Sequence, residues 1–329
     1  MVMSNLPNAW RAGLLALGTL MAAPAWADDG AAPDFSAFLR GVEAEALGRG
    51  LRPETLAQAL TGIEHLDKVI ELDRRQPEFT MTWKTYQEKV VSHAKVERGR
   101  RMMKENHALL QTISRHYGVQ PKYVVALWGI ETDYGRVTGG YPVVSALATL
   151  AFDGRRSVYF RGELMNALQI LDEGHISSST MLGSWAGAMG QCQFMPSSFL
   201  KFAVDWNGDQ RRDIWATRAD VLASAANYLA QSGWKGDEGW GRAVRLPAHF
   251  DKSLIGLETR KSVEQWAKLG VTNAQGKALP KAALQASVIT PDGGGAFLVY
   301  DNFRTTLKWN RSTFFALAVG HLAERIGGK

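Results

Sequence analysis

Apolar residues recur at helical spacing from Asp34 to Gln120, as in Phe35-x-x-Phe38-Leu39 and again from Leu51 to Leu60, where Pro53 suits a first helical turn. The helical period continues from Pro121 to Gly233, interrupted by short loops richer in glycine and aromatics. Between Trp234 and Asn302 the period changes. Gly241 to Pro247, Ala286 to Thr290 and Ala296 to Tyr300 read as short strands, and Pro291-Asp-Gly-Gly-Gly295 reads as a breaker. Helical spacing returns from Phe303 to Ile326. No repeat of fixed period is present. The pattern predicts a mainly α fold of the α+β class. Its parts are an N-terminal helical domain over 28–118, a helical core over 119–233 and 303–329, and a small β-rich insertion over 234–302.

Ahead of this body, Ala12 to Ala23 is an uninterrupted apolar run behind Arg11, followed by Pro24 and by Ala25-Trp26-Ala27. A run of this length suits a signal-peptide core and falls short of the ~20 residues a spanning helix needs. The expectation is a signal peptide over 1–27, cut before Asp28, and a periplasmic protein. An uncleaved anchor is the other reading of the run, and Pro24 with its small neighbours favours the peptidase. No cysteine lies near the cut, so a lipid anchor is not expected.

Composition narrows the classes. In 329 residues, 46% hydrophobic and 21% charged content is that of a globular protein. The single cysteine, Cys192, excludes an internal disulfide and a cysteine-rich zinc module. A formal net charge of +6 is too mild to argue for nucleic acid. The histidines show no H-x-x-H or H-E-x-x-H spacing, so no catalytic zinc is expected. The basic stretch from Glu97 to Lys104 reads as a solvated helix face.

The chemistry concentrates in Gln120 to Gly135. Pro121 suits the start of a helix and Gly135 its stop, and Val124, Leu127, Trp128 and Glu131 fall on one face at i, i+3, i+4 and i+7. A carboxylate on an apolar stripe, in the last turn of its helix, is pushed toward the protonated form by desolvation and by the helix dipole. A proton donor at neutral pH needs that combination. A buried glutamate held by an arginine would fit the same residues. Downstream, Ser184 to Pro196 is dense in small residues, with Ser184, Gln191 and Gln193 as hydrogen-bonding groups and Phe194 and Met195 as apolar surface. It reads as a close approach to a ligand or as a tight helix crossing.

Gly129-Ile-Glu-Thr-Asp-Tyr-Gly135, Ala146 to Phe152 with Arg155-Arg156, Ala186-Gly-Ala-Met-Gly-x-x-Gln-Phe-Met-Pro-Ser-Ser198, Ala226-Asn-Tyr228 and Trp309-Asn-x-Ser312 resemble the B-type lytic murein transglycosylases, glycoside hydrolase family 103. The resemblance runs from about Trp83 to the C-terminus. It implies a lysozyme-like catalytic core with Glu131 as sole acid/base. The implied reaction cuts the β-1,4 bond between N-acetylmuramic acid and N-acetylglucosamine, with the muramoyl 6-hydroxyl attacking its own anomeric carbon to leave a 1,6-anhydro ring. That accounts for the lack of a second carboxylate, which most glycosidases require. The substrate-binding residues implied are Tyr86, Ser184, Gln193, Phe194, Tyr228, Trp309 and Asn310, with Arg155 and Arg156 meeting peptide-stem or lactyl carboxylates. Two departures stand out: Trp309 occupies a position where the family commonly has Tyr, and Phe315 replaces another family tyrosine. Cys192 reads as a small buried hydrophobe. The archetypal member is a lipoprotein, whereas this chain lacks the cysteine.

Asp205, Asn207, Asp209 and Asp213 stand at positions 1, 3, 5 and 9 of an EF-hand-like loop, but Gln210 replaces the turn glycine and Ala216 the closing acid. The family's loop closes later, for which Asp220 is the candidate, and Arg211 would offer only its carbonyl. A structural calcium and a turn held by side-chain bonds both fit. No cofactor is expected for catalysis. The expected partners are peptidoglycan glycan strands and cell-wall synthesis machinery, and the expected state is a monomer. A hydrolytic muramidase and a catalytically silent wall-binding protein are the competing functions.

Overall fold

The computed structural model describes residues 34–74 and 81–328. The expected signal peptide lies outside the described residues. The helical period of the N-terminal part is realised as α1 (Phe35–Gly48), α2 (Pro53–Leu60), α3 (Asp67–Arg74), α4 (Trp83–Val90), α5 (His93–Glu105) and α6 (His107–Tyr117). Pro53 opens α2, where its missing N–H costs nothing. These helices do not build a core of their own. Val42, Leu56, Val69, Trp83 and Leu110 join one continuous cluster with Leu127, Leu147, Leu168 and Leu317, so residues 28–118 are a layer on the central body and not a separate domain.

That body is α7 (Pro121–Thr132), α8 (Val143–Phe152), α9 (Ser157–Asp172), α10 (Pro196–Phe202), α11 (Arg218–Gln231), α13 (Asp301–Trp309) and α14 (Thr313–Ile326). Helix α7 runs through its centre, packed by α5, α6, α11 and α14. At Gly99 of α5 an added Cβ would lie 2.4 Å from Ile326 and 2.5 Å from the Tyr134 hydroxyl, so only glycine admits this crossing. A two-residue ladder, β1 (Tyr141–Pro142) with β2 (Leu182–Gly183), ties the loop before α8 to the loop before α10.

The insertion is a five-stranded antiparallel sheet, built from β3 (Gly241–Arg245), β4 (Lys261–Ser262), β5 (Thr272–Asn273), β6 (Gln285–Ile289) and β7 (Ala296–Val299) in the order β4-β6-β7-β3-β5. The short helix α12 (Val263–Lys268) joins it through a capping box, Ser262 with Gln265. Strand alternation divides the sheet's faces between two cores. Val288 and Leu298 pack with Trp266 in a local cluster, while Ile289, Phe297 and Val299 belong to the main one. The three expected strands are present within two residues of their expected ends. Helix α13 begins at Asp301, two residues before the expected return of helical spacing.

Candidate active site

Glu131 lies in the last turn of α7, and its setting corrects the stripe expected from spacing. Residues 123–129 are all buried, so the helix is enclosed on every side. Ile130 and Glu131 are the first positions to regain partial exposure, because α7 ends there at an open cleft. The helix stops at Asp133 and not at Gly135. Asp133, Tyr134 and Gly135 take φ values of 50°, 64° and 81° in succession. Two consecutive non-glycine residues in the left-handed region are strained, at ~1–2 kcal/mol each, and need external support. Arg98 and Arg136 hold the Asp133 carboxylate at 3.2 and 3.0 Å, and the Tyr134 hydroxyl donates to the Lys95 carbonyl at 2.8 Å. Thr132 Oγ1 accepts from Gly135 N and donates to the Gln191 carbonyl, both at 3.0 Å. Arg98 is thus the member of the basic stretch that is not a solvated charge; Arg101 and Lys104 are exposed as expected.

A cavity of about 340 Å³ opens at this end of the helix, lined by Tyr86, Lys89, Lys95, Glu131, Asn310 and Phe315 among others. Glu131 is the only carboxylate among its lining residues. Trp309 Nε1–H donates to Glu131 Oε1 at 2.6 Å. The indole is wedged between Tyr228 and Phe194, at ring-centroid distances of 4.6 and 5.2 Å, and the Tyr228 hydroxyl donates to the Lys308 carbonyl at 2.6 Å. An indole N–H only donates, so it stabilises the oxygen it meets and confines the acid proton to Oε2. Lys95 brings a cation to the same cavity, but its ammonium donates to the Gly129 carbonyl at 2.9 Å. Burial holds the Lys95 pKa below the ordinary lysine range, against the nearby Asp133 and Glu131 charges.

The structure brings Tyr86, Glu131, Trp309 and Asn310 together, with Phe194 and Tyr228 behind Trp309. It gives other expected site residues different work. Arg155 Nε donates to Asp73 Oδ2 at 2.8 Å, and Arg156 donates to Asp73 Oδ1. Asp73 is 2% exposed, so this pair neutralises a buried carboxylate at the junction of α3 with the core and does not line the cavity. Ser184 Oγ accepts from the backbone N–H groups of Ala186 and Ala188, and Gln193 Nε2 donates to the carbonyls of Thr138 and Gly190; both shape their loop. Gln191 is the residue that pins that loop to α7, accepting from Trp128 Nε1 at 2.9 Å and donating to the Trp215 carbonyl at 2.8 Å. The tight-crossing reading holds at Gly187, where a Cβ would meet Leu147 at 2.4 Å. Cys192 is buried, its thiol pushed upward by burial and then by the Glu131 charge. Lys95 was missed because nothing local distinguishes it from its exposed basic neighbours.

Asp205, Asp209 and Asp220 converge, with one carboxylate oxygen of each within 4.8 Å of the others. Asp220 is fully buried, and burial followed by the neighbouring Asp205 and Asp209 charges raises its pKa. Three mutually repelling carboxylates around one point fit a divalent cation. Gln210 makes the sharp turn itself at φ 70°. Asn207 and Arg211 serve the loop, Asn207 Nδ2 donating to Asp209 Oδ2 and Arg211 N to Asp209 Oδ1. Asp213 caps the following turn, accepting from Trp215 N and Ala216 N at 2.9 Å each, and is not part of the cluster.

Residues 34–324 match the model of the transglycosylase SLT domain. The chain is 33% identical over 295 residues to membrane-bound lytic murein transglycosylase B of Escherichia coli (strain K12), spanning 84% of this chain and 79% of that one. It superposes on SltB3 from Pseudomonas aeruginosa, solved in complex with NAG-anhNAM-pentapeptide, with a TM-score of 0.88 at 42% identity, over 90% of this chain and 80% of that one. The Escherichia coli lytic transglycosylase Slt35, solved in complex with calcium, matches with a TM-score of 0.77 at 30% identity, over 88% and 92% of the two chains.

Proposed function

The chain belongs to the transglycosylase SLT domain family, and from that premise we propose that it cleaves peptidoglycan glycan strands with Glu131 as the one acid/base. It is a peptidoglycan lytic transglycosylase. The observation that carries the residue assignment is the single carboxylate in the cavity at the end of α7. A retaining glycosidase needs a second carboxyl group about 5 Å away, and an inverting one needs it farther off to place a water. Asp133, the nearest acid in sequence, is bound by two arginines. A lone acid suffices when the substrate supplies its own nucleophile. Glu131 gives the proton on Oε2 to the leaving glycosidic oxygen. It then takes the proton of the muramoyl 6-hydroxyl as that oxygen closes on the anomeric carbon, giving the 1,6-anhydro end.

Replacing Glu131 by Gln tests this reading. Lysis of purified sacculi is expected to fall by ~10³-fold or more, near the upper range of a general acid/base contribution, with an unchanged melting temperature. Undiminished lysis would move the acid to another residue. No helix among the described residues is long and apolar enough to cross a membrane. With the leader at 1–27, this supports a periplasmic protein that meets its substrate as a monomer and without a lipid anchor. For the Asp205, Asp209 and Asp220 cluster we propose a structural calcium, with no part in the chemistry.

A further inference from the structure

A second cavity of about 520 Å³ meets the catalytic one at Asn310 and Ser312, which line both. Asn310 Oδ1 accepts from Ser312 N at 2.9 Å, and Ser312 Oγ accepts from Phe315 N, so the turn into α14 is fixed. It carries Arg311 into the second cavity. The floor is Phe314, packed 5.7 Å from Tyr86 and 5.8 Å from Trp83. The far wall is the breaker before β7. There the Asp292 carbonyl accepts from Trp83 N at 2.7 Å, which anchors the loop and leaves the Asp292 carboxylate at the cavity.

Among the described residues, the side chains of Arg311 and Asp292 have no hydrogen-bond or ion-pair partner, and they are not paired with each other. One cavity therefore presents an unmatched guanidinium and an unmatched carboxylate. N-acetylated sugars carry no charge to satisfy either. A ligand with only a carboxylate would satisfy Arg311 and leave Asp292 facing its own sign. The matching ligand is zwitterionic. On a glycan strand, that ligand is the peptide stem hung from the muramoyl lactyl group, which carries free carboxylates and, where it includes a diamino acid, an ammonium. The arginines expected to meet stem carboxylates, Arg155 and Arg156, are occupied by Asp73.

We propose that this second cavity is the peptide-stem subsite, in which Arg311 receives a stem carboxylate and Asp292 the stem ammonium. The proposal rests on the lytic transglycosylase reading and names what that enzyme recognises beyond the sugars. It places stem selection at the joint between α14 and the β-rich insertion, whose loop supplies the acidic wall.

Calorimetric binding in the Glu131→Gln background, where turnover does not intervene, compares a disaccharide–tetrapeptide with the same disaccharide stripped of its peptide. Arg311→Gln is expected to weaken the peptide-bearing ligand about tenfold, the loss of one charge-assisted hydrogen bond, and to leave the stripped disaccharide unchanged. Asp292→Asn is expected to abolish the preference for a free over an acetylated stem amine. Equal effects on both ligands, or none on either, would overturn the subsite. Failure of the wild-type protein to cleave glycan would overturn the catalytic reading instead, while this binding comparison would stand.

Discussion

Two carboxylates, one at the seam between α3 and the core and one at the end of α7, meet opposite treatment. Asp73 is 2% exposed and takes two guanidiniums, Arg155 at 2.8 Å and Arg156 beside it. Glu131 is half-buried and takes a neutral donor, the Trp309 indole at 2.6 Å. The cation nearest in the cleft, Lys95, is turned onto a backbone carbonyl. A carboxylate between guanidiniums is locked as an anion, because protonation would leave two cations unmatched. One that meets an indole can gain or lose a proton without stranding a partner. Structural acids and working acids are separated here by the charge of their donors more than by their burial.

The comparison is broken most forcefully at Asp73. Replacing it by Ala leaves both arginines without their acceptor. It should cost ~2–3 kcal/mol, less than the 3–5 of a fully buried pair because both guanidiniums reach solvent. Urea unfolding reads the loss, and sacculus lysis well below the melting temperature is expected to stay within about twofold. An unchanged midpoint would deny Asp73 its structural part.

At Trp309, Phe keeps the ring between Phe194 and Tyr228 but removes the donor. The rate is expected to fall about tenfold, and the alkaline limb of the pH–rate profile to move up by about one unit. The direction follows because a hydrogen bond to the charged form favours that form, so losing it lets the acid hold its proton to higher pH. A profile superimposable on that of the parent would reduce Trp309 to packing. The smallest effect belongs to the third group of acids, Asp205, Asp209 and Asp220, which repel one another. Calcium in excess should raise the melting temperature by a few degrees. Asp220→Asn should lose that rise, and an equal rise in the variant would contradict the site.

Much of this was legible along the chain because it is local. Pro121 opens α7 as spacing indicates, and the alternation of Ala296 to Tyr300 marks a strand whose two faces are now seen in two cores. Glu131 was identifiable from its place in an apolar helix, and Tyr86, Trp309 and Asn310 from the resemblance. What escaped depends on partners far apart in sequence. Asp73 and Arg155 are 82 residues apart, and nothing near either announces the other. The enclosure of α7 on all sides is made by α5, α11 and α14, so its own periodicity could not reveal it. The two-residue strands β4 and β5 exist through their ladder partners. Helix α12 is different: Ser262-x-x-Gln265 is a local start signal, readable and passed over.

The most direct measurement is the fate of solvent oxygen. Purified peptidoglycan digested in water enriched in oxygen-18 and examined by mass spectrometry should give muramoyl ends that carry no label and are lighter by one water than hydrolytic ends. That result follows if Glu131 works alone and the sugar's own hydroxyl closes the ring. Labelled reducing ends would show that water is the nucleophile, and a cleft with one carboxylate would no longer explain the reaction.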